Sequence, residues 1–254
     1  VCNGDAVLID AGPGQKVREA SKTWAAYSKG TYRTEGSGAS SYGHNAIIID
    51  NLGQMPSGDG QGIEGRIRYA RETKGFWLVG TDAKAAYNKD DYNPVQVADR
   101  HIAFPKATGD CLVMIDRVVP QAAGAHAFKR LLHFAAPEQL AQEDGPERMS
   151  VTIRKTVYDL WTLSPTEGLA IDHVEVRAQV PIRTRTLLAH DLSDEALWMC
   201  TVLAARGTET TPTDVQLVAG HDGPAVQLDL SGGATWRFAL SGEPEELAVD
   251  LGSA

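Results

Sequence analysis

The chain has 254 residues, 43% of them hydrophobic, enough for one large all-β domain or two small ones with a real core. Its 33 acidic and 24 basic side chains give a formal charge of -9, so the chain as a whole repels nucleic acid and anionic membranes. A polyanionic ligand would therefore need positive charge concentrated locally.

No apolar run approaches the roughly 20 residues of a membrane-spanning helix, and no basic segment leading into an apolar one marks a signal peptide. The opening "VCNGDAVLID" lacks an initiating methionine and enters a strand-like run almost at once, which predicts a piece of a longer polypeptide. Cysteines at Cys2, Cys111 and Cys200 are widely spaced and odd in number, which argues against a disulfide framework. In "CLVMID" and "WMCTVLA", Cys111 and Cys200 read as small core hydrophobes.

In chain order, short β-rich runs bounded by turn residues are "AVLID" (6–10), "NAIIID" (45–50), "GRIRYA" (65–70), "FWLVGT" (76–81), "RHIAF" (100–104) and "CLVMIDRVV" (111–119). They continue with "HAFKRLLHF" (126–134), "SVTIRK" (150–155), "VEVRAQV" (174–180), "WMCTVLAARG" (198–207), "DVQLVAG" (214–220), "AVQLDL" (225–230) and "TWRFALSG" (235–242). In "VTIRKTVYDLW" either register places a charge on a mainly apolar face, which predicts a break near Lys155. One segment departs from this rhythm: Val17, Ala20, Trp24 and Tyr27 fall at helical spacing and Gly30 is a stop signal, so a short packing helix is expected between the first two strands. The Gly- and Ser-rich "EGSGASS" (35–41) and the stretch 51–64 read as loops flanking the strand that His44 opens. Segment 137–149 reads as a turn-rich, acidic connection. The expected fold is all-β: a large antiparallel β-sandwich of two or more packed sheets spanning 1–254, with at most one or two short helices and room for a C-terminal sub-sheet from about residue 140.

Nucleotide-binding motifs are absent. "DAGPGQ" has no third glycine at fingerprint spacing and no Lys-Ser/Thr pair, and the strand rhythm denies it the helix a phosphate would need. No Gly-x-Ser-x-Gly elbow, Cys-x-x-Cys or His-x-x-x-His occurs. A dispersed pair remains. Asp10 ends the first strand and His44 opens the next, so if the two strands are antiparallel neighbours a carboxylate and an imidazole share one rim. These are two of the three or four ligands a zinc ion needs, although an Asp at a strand end is also an ordinary turn former. Asp90 and Asp91 read as a solvated hairpin tip, without the ligand ladder of a calcium loop, and His126 and His133, bracketing a strand, read as structural.

The stretch from "GDAVLIDAG" to "YSKGTYRTEGSGASSYGHNAIIIDNLGQ" resembles the C-terminal β-sandwich region of the heparinase II/III-like polysaccharide lyases, through Asp10 and Gly12, then Tyr32, Arg33 and Thr34, then His44, Asn45, Ile47 to Ile49, Asp50 and Gln54. "DRHIAFPKATGDCLVMIDRVV" and "AHAFKRLLHFAAPE" resemble the elements that follow, so the likeness covers about residues 4–137. It implies that Asp10 and His44 bind a divalent metal, usually zinc, with a third ligand upstream of this chain. It also implies an N-terminal α/α toroid in the same parent chain, carrying the principal catalytic Tyr and His, and an acidic polysaccharide or oligosaccharide as partner. Such lyases remove the proton at C5 of a uronic acid and eliminate the 4-linked sugar, with heparinoid, alginate and other uronate polymers among their substrates; this region alone would then be inactive. Tyr32, Arg33, Tyr42 and Asn45 are the expected substrate contacts, Arg33 pairing a uronate carboxylate and the tyrosines stacking on sugar rings, against the plain reading of loop anchors and a solvated charge. Departures from the family pattern are Ala11 where proline is usual, Gly14 where an aromatic is common, and extra residues in "EGSGASS" before the His. The resemblance further implies a secreted or periplasmic parent. The competing reading is a non-catalytic accessory or carbohydrate-binding module that keeps the sandwich without the chemistry.

Overall fold

A computed structural model of the chain describes residues 45–50, 53–54, 65–88, 93–121, 126–135, 142–143, 147–153, 155–165, 170–177, 181–192, 196–242 and 246–252. The expected strand at 6–10, the expected helix at 17–27, the loop at 35–41, most of the loop at 51–64, and Asp90 and Asp91 lie outside these residues. The described residues hold sixteen strands in three antiparallel sheets and one short helix, α1 (Lys84–Tyr87). The all-β antiparallel sandwich expected from the strand rhythm is the fold of this chain.

The central sheet has eight strands. It runs β2 (Arg66–Glu72), β3 (Phe76–Asp82), β4 (Val95–Pro105), β5 (Cys111–Pro120), β12 (Leu197–Ala205), β9 (Thr156–Leu163), β8 (Arg148–Ile153), β7 (Gln142–Glu143). A four-stranded sheet of β1 (Ile47–Ile49), β6 (His126–Ala135), β11 (Pro181–Leu192) and β10 (Ala170–Arg177) packs on one face. On the other face lies the C-terminal meander of β13 (Pro212–Ala219), β14 (Pro224–Leu230), β15 (Thr235–Ser241) and β16 (Glu246–Gly252).

Period-two alternation in β5 explains why the central sheet carries a core on both faces. Cys111, Val113 and Ile115 pack with Val202, Leu228, Phe238 and Leu247 under the C-terminal meander. Leu112 and Met114 join Leu132 of β6, while Val118 joins Ile47, Ile49 and Phe128. Strand β12 is buried along its whole length, as a central strand covered on both faces must be. Both Cys111 and Cys200 are buried free thiols in this core, and burial pushes the Cys200 thiol up to about 12. The break expected near Lys155 is the turn of a hairpin, with Ile153 paired to Thr156. Ser150 and Arg206 hold Asp159, whose carboxylate burial alone would raise but these partners keep below its ordinary range.

The C-terminal meander is tied to the edge of the central sheet by side chains of β2. Arg71 donates through Nη2 to the Leu247 carbonyl at 2.9 Å and pairs through Nη1 with Glu246 at 2.6 Å. Tyr69 Oη accepts the Leu247 N–H at 2.7 Å, which leaves its own proton to donate to His101 Nδ1 at 2.8 Å. Gly80 makes room for this pair: a Cβ there would lie 2.2 Å from the Tyr69 ring.

His101 is fully buried, and its Nε2 has no partner among the described residues. Burial first, then the positive charges of Arg68 and Arg117, lower its pKa to about 4 against the weaker opposing pull of Asp116. The unfolded chain protonates near pH 6.5 while the folded chain stays neutral to about 4, so this group's stability is intact above 6.5 and lost as pH falls toward 4. We expect the urea midpoint to fall between pH 7 and 4.5 by the equivalent of about 2–3 kcal/mol. The His101→Gln variant, which cannot titrate, should lose most of that slope; an unchanged slope would remove His101 as its source.

Candidate functional site

Strand β1 has three residues and lies at the edge of its sheet. Ile47, Ile48 and Ile49 are all buried, and the strand pairs antiparallel with β6. At its far end Asp50 adopts the left-handed conformation, φ 51°, which a short polar side chain tolerates. Asp50 closes the ladder: its N–H donates to the Ala127 carbonyl at 2.8 Å, Oδ1 accepts the Ala127 N–H at 3.0 Å, and Oδ2 lies 2.8 Å from His126 Nδ1. His126 thus has a structural partner, as expected of it.

At the near end Asn45 is clamped from two sides. Its Oδ1 accepts the His133 N–H at 2.7 Å, and its carbonyl accepts from Arg100 Nη1 at 2.5 Å. Arg100 is itself fixed by Asp116, with Nε to Oδ1 at 2.5 Å and Nη2 to Oδ2 at 3.2 Å. Asp116 Oδ2 also meets Arg130 Nε at 2.7 Å, and Arg130 extends to Thr201 Oγ1 and to Met114 Sδ. Register makes this possible: Arg100 pairs with Asp116 across β4 and β5, and Met199 and Thr201 follow on the same face of β12.

Asp116 and Arg130 are fully buried. Burial would raise the Asp116 carboxyl, but the guanidinium groups of Arg100 and Arg130 outweigh it and hold the group below its ordinary value. Burial lowers Arg130 to about 10. One carboxylate between two guanidinium groups leaves a surplus positive charge at the boundary of the core.

A cavity of about 210 Å³ opens beside the clamp, lined by Asn45, Gln54, Tyr87, Asp99, Arg100 and Asp116 among others. Tyr87 on α1 donates to the Ile47 carbonyl at 2.7 Å and accepts from Gln54 Nε2 at 3.4 Å, and burial pushes its phenol up to about 12, so it stays a neutral donor. Asp99, buried and paired with Arg68 at 2.8 Å, also borders a second cleft of about 500 Å³.

Of the residues expected from sequence to form the site, Asp10, Tyr32, Arg33, Tyr42 and His44 lie outside the described residues. Asn45 is in the wall of the smaller cavity. Among the described residues no group of three or more His, Cys, Asp and Glu side chains could hold a metal. Sequence reasoning passed over Asp116, Arg130, Arg100 and Tyr87. A signal existed for two of them: Asp116 falls in phase with Leu112, Met114 and Val118, and Arg130 lies between Phe128 and Leu132, so each is a charge at an inward position.

The family described as "Heparinase II/III-like, C-terminal" matches residues 1–253. The chain belongs to that family. No curated protein sequence matches this heparinase II/III-like domain significantly. Among solved structures, heparinase III, the BT4657 gene product, is similar with a TM-score of 0.60 at 12% identity, over 99% of this chain and 35% of that one. The heparan sulfate lyase HepC from Pedobacter heparinus is similar with a TM-score of 0.54 at 11% identity, over 82% of this chain and 30% of that one. The domain therefore spans about a third of the length of these structures, and at such identities the likeness is one of fold.

The buried cluster generates a prediction. Asp116→Asn removes the only carboxylate that Arg130 is shown to contact and should cost about 3–5 kcal/mol in urea unfolding. Replacing the pair together, Asp116→Leu with Arg130→Met, should restore part of that loss, because Arg130 is then no longer stranded and only Arg100, nearer the surface, is left without its carboxylate. Equal losses in the two variants would show that the cluster acts through packing alone.

Proposed function

We propose that this domain is part of a polysaccharide lyase that cleaves uronic-acid-containing glycans by β-elimination, supplying metal ligands and one wall of the substrate cleft. Family membership over residues 1–253, and the fold shared with a heparinase III and a heparan sulfate lyase, support the reaction class. The ligands are Asp10 and His44, a carboxylate and an imidazole, a donor set that suits zinc and needs completing from the upstream part of the parent chain. When bound, zinc would supply positive charge and hold its ligands in fixed geometry.

The observation that carries the reading is the clamp on Asn45. The residue next to His44 has its side-chain oxygen held by the His133 N–H and its carbonyl by Arg100, which a buried carboxylate holds in turn. A backbone fixed this firmly at one residue restricts where its neighbour's side chain can reach, which is what a metal site demands of its mount. The Tyr32, Arg33 and Tyr42 side chains are assigned to the glycan, Arg33 to a carboxylate and the tyrosines to sugar faces. In the reaction the C5 proton leaves to a base, the C4–O bond breaks and a C4=C5 double bond forms; base and acid are assigned to the helical toroid upstream. A polymeric substrate fits a secreted or periplasmic parent.

The test is zinc content measured by atomic emission on the full-length parent protein, beside the ultraviolet absorbance of unsaturated uronate product. Wild type should carry zinc and release product, whereas Asp10→Ala and His44→Ala should lose the metal and most activity. Metal retained at wild-type stoichiometry in both variants would overturn the ligand assignment. A parent that binds acidic glycans but never yields unsaturated product would favour the accessory-module reading.

A further inference from the structure

Two β-bulges open on the 500 Å³ cleft. Along the β2–β3 ladder the register slips between Ile67 and Tyr69, leaving Arg68 as the extra residue, and along the β4–β5 ladder it slips between Val95 and Val97, leaving Gln96 as the extra residue. Arg68 and Gln96 both line the cleft, with Arg66, Asp82, Lys84 and Asp99. A bulge re-aims a side chain at the cost of ladder hydrogen bonds, and two bulges two strands apart that serve one concavity mark a built site.

The charges there are arranged for an anion. Each lining carboxylate is already engaged: Asp82 by Arg66 at 3.1 Å, Asp99 by Arg68 at 2.8 Å and Glu246 by Arg71 at 2.6 Å. The lining itself balances, Arg66, Arg68 and Lys84 against Asp82, Asp99 and Glu246, but Arg71 engages Glu246 from outside the cleft, so exposed Lys84 is left without an ion pair among the described residues. The Arg66 side chain is 75% exposed, and an ion pair that open to solvent is weak, so Arg66 can turn from Asp82 to an incoming anion at little cost. The Gln96 side chain, exposed beside them, adds an amide suited to a hydroxyl or ether oxygen. The mixed polar and apolar floor includes Ile67 and Tyr69, surfaces on which a sugar ring packs.

We infer that this cleft is a distal subsite for an acidic glycan chain, in which Arg66 and Lys84 take one carboxylate or sulfate substituent while Gln96 contacts the sugar that bears it. The inference rests on the lyase reading for its substrate class. It adds a second anchoring point, separate from the cavity beside Asn45 although Asp99 borders both. A polymer would be gripped here by its charge pattern, away from the bond that breaks.

Affinity electrophoresis of the full-length parent through gels containing heparin or alginate reads the subsite without needing catalysis. Arg66→Gln combined with Lys84→Gln should weaken retardation about tenfold in at least one of the two gels and flatten its salt dependence, and the stronger effect identifies sulfate or carboxylate as the group held. Lys155→Gln, which removes an exposed charge in the β8–β9 turn, should leave retardation unchanged. The Gln96→Ala variant should weaken binding with no change in salt dependence. Retardation equal to wild type in the folded double variant, or a loss as large in Lys155→Gln, would overturn the subsite. Because binding is read directly, a parent that binds through this cleft yet never yields unsaturated product would sink the lyase reading alone.

Discussion

The carboxylate of Asp116, buried between Arg100 and Arg130, is the constraint on which the layering of this domain turns. Its two guanidinium partners belong to different sheets, Arg100 to the central one and Arg130 to the sheet that carries β1. Hydrophobic burial on both faces of the central sheet drives the layers together, but apolar contacts tolerate sliding. A charge cluster does not. A one-residue slip of β4 or β5 would carry Arg100 or Asp116 to the face where Cys111, Val113 and Ile115 pack, stranding a charge in an apolar layer at a cost of several kcal/mol. The cluster therefore selects a register more than it adds stability, and that register presents Arg100 to the Asn45 carbonyl.

The sandwich was legible because most strands alternate or are continuously apolar with turn residues between them. Three strands escaped, the first of them the two-residue β7 inside the segment 137–149 that reads as a connection. "PIRTRTLLAHDL" in β11 opens on proline and alternates arginine with threonine, which reads as a polar connection until it is paired between β6 and β10. "ELAVDLG" in β16 is short and carries charges at Glu246 and Asp250, and only its hairpin to β15 across Gly242, at φ 83°, makes it a strand. Lys155 was legible for a physical reason: a charge that fits neither face of a strand must sit where the strand stops.

The polar machinery was harder to read, because its partners are distant in sequence. Asp116 in "CLVMIDRVVP" announces an inward charge but does not say that Arg100, sixteen residues earlier, and Arg130, fourteen later, will meet it. The converse holds for Asn45. Sequence suggested a residue facing substrate, and what it did not announce is that the side-chain oxygen and the carbonyl are both held by the framework at the border of the cavity. Fold likeness at 11–12% identity is consistent with this division, since the layers can persist while the clefts on their rim diverge.

Strand β4 shows how closely the parts are joined. Three consecutive residues each belong to a different polar network: Asp99 holds Arg68 at the larger cleft, Arg100 joins Asp116 to the Asn45 carbonyl, and His101 meets Tyr69, whose hydroxyl ties down the C-terminal meander. Alternation along a strand sends neighbours to opposite faces, so a single stretch can serve both interfaces of a three-layer domain. Polar residues are costly there, and each is tolerated because it is paired. The arrangement also couples the two clefts through one backbone: a shift of β4 large enough to reposition Asp99 must disturb the adjacent Arg100 clamp, so the larger cleft and the clamp on Asn45 are set by the same segment.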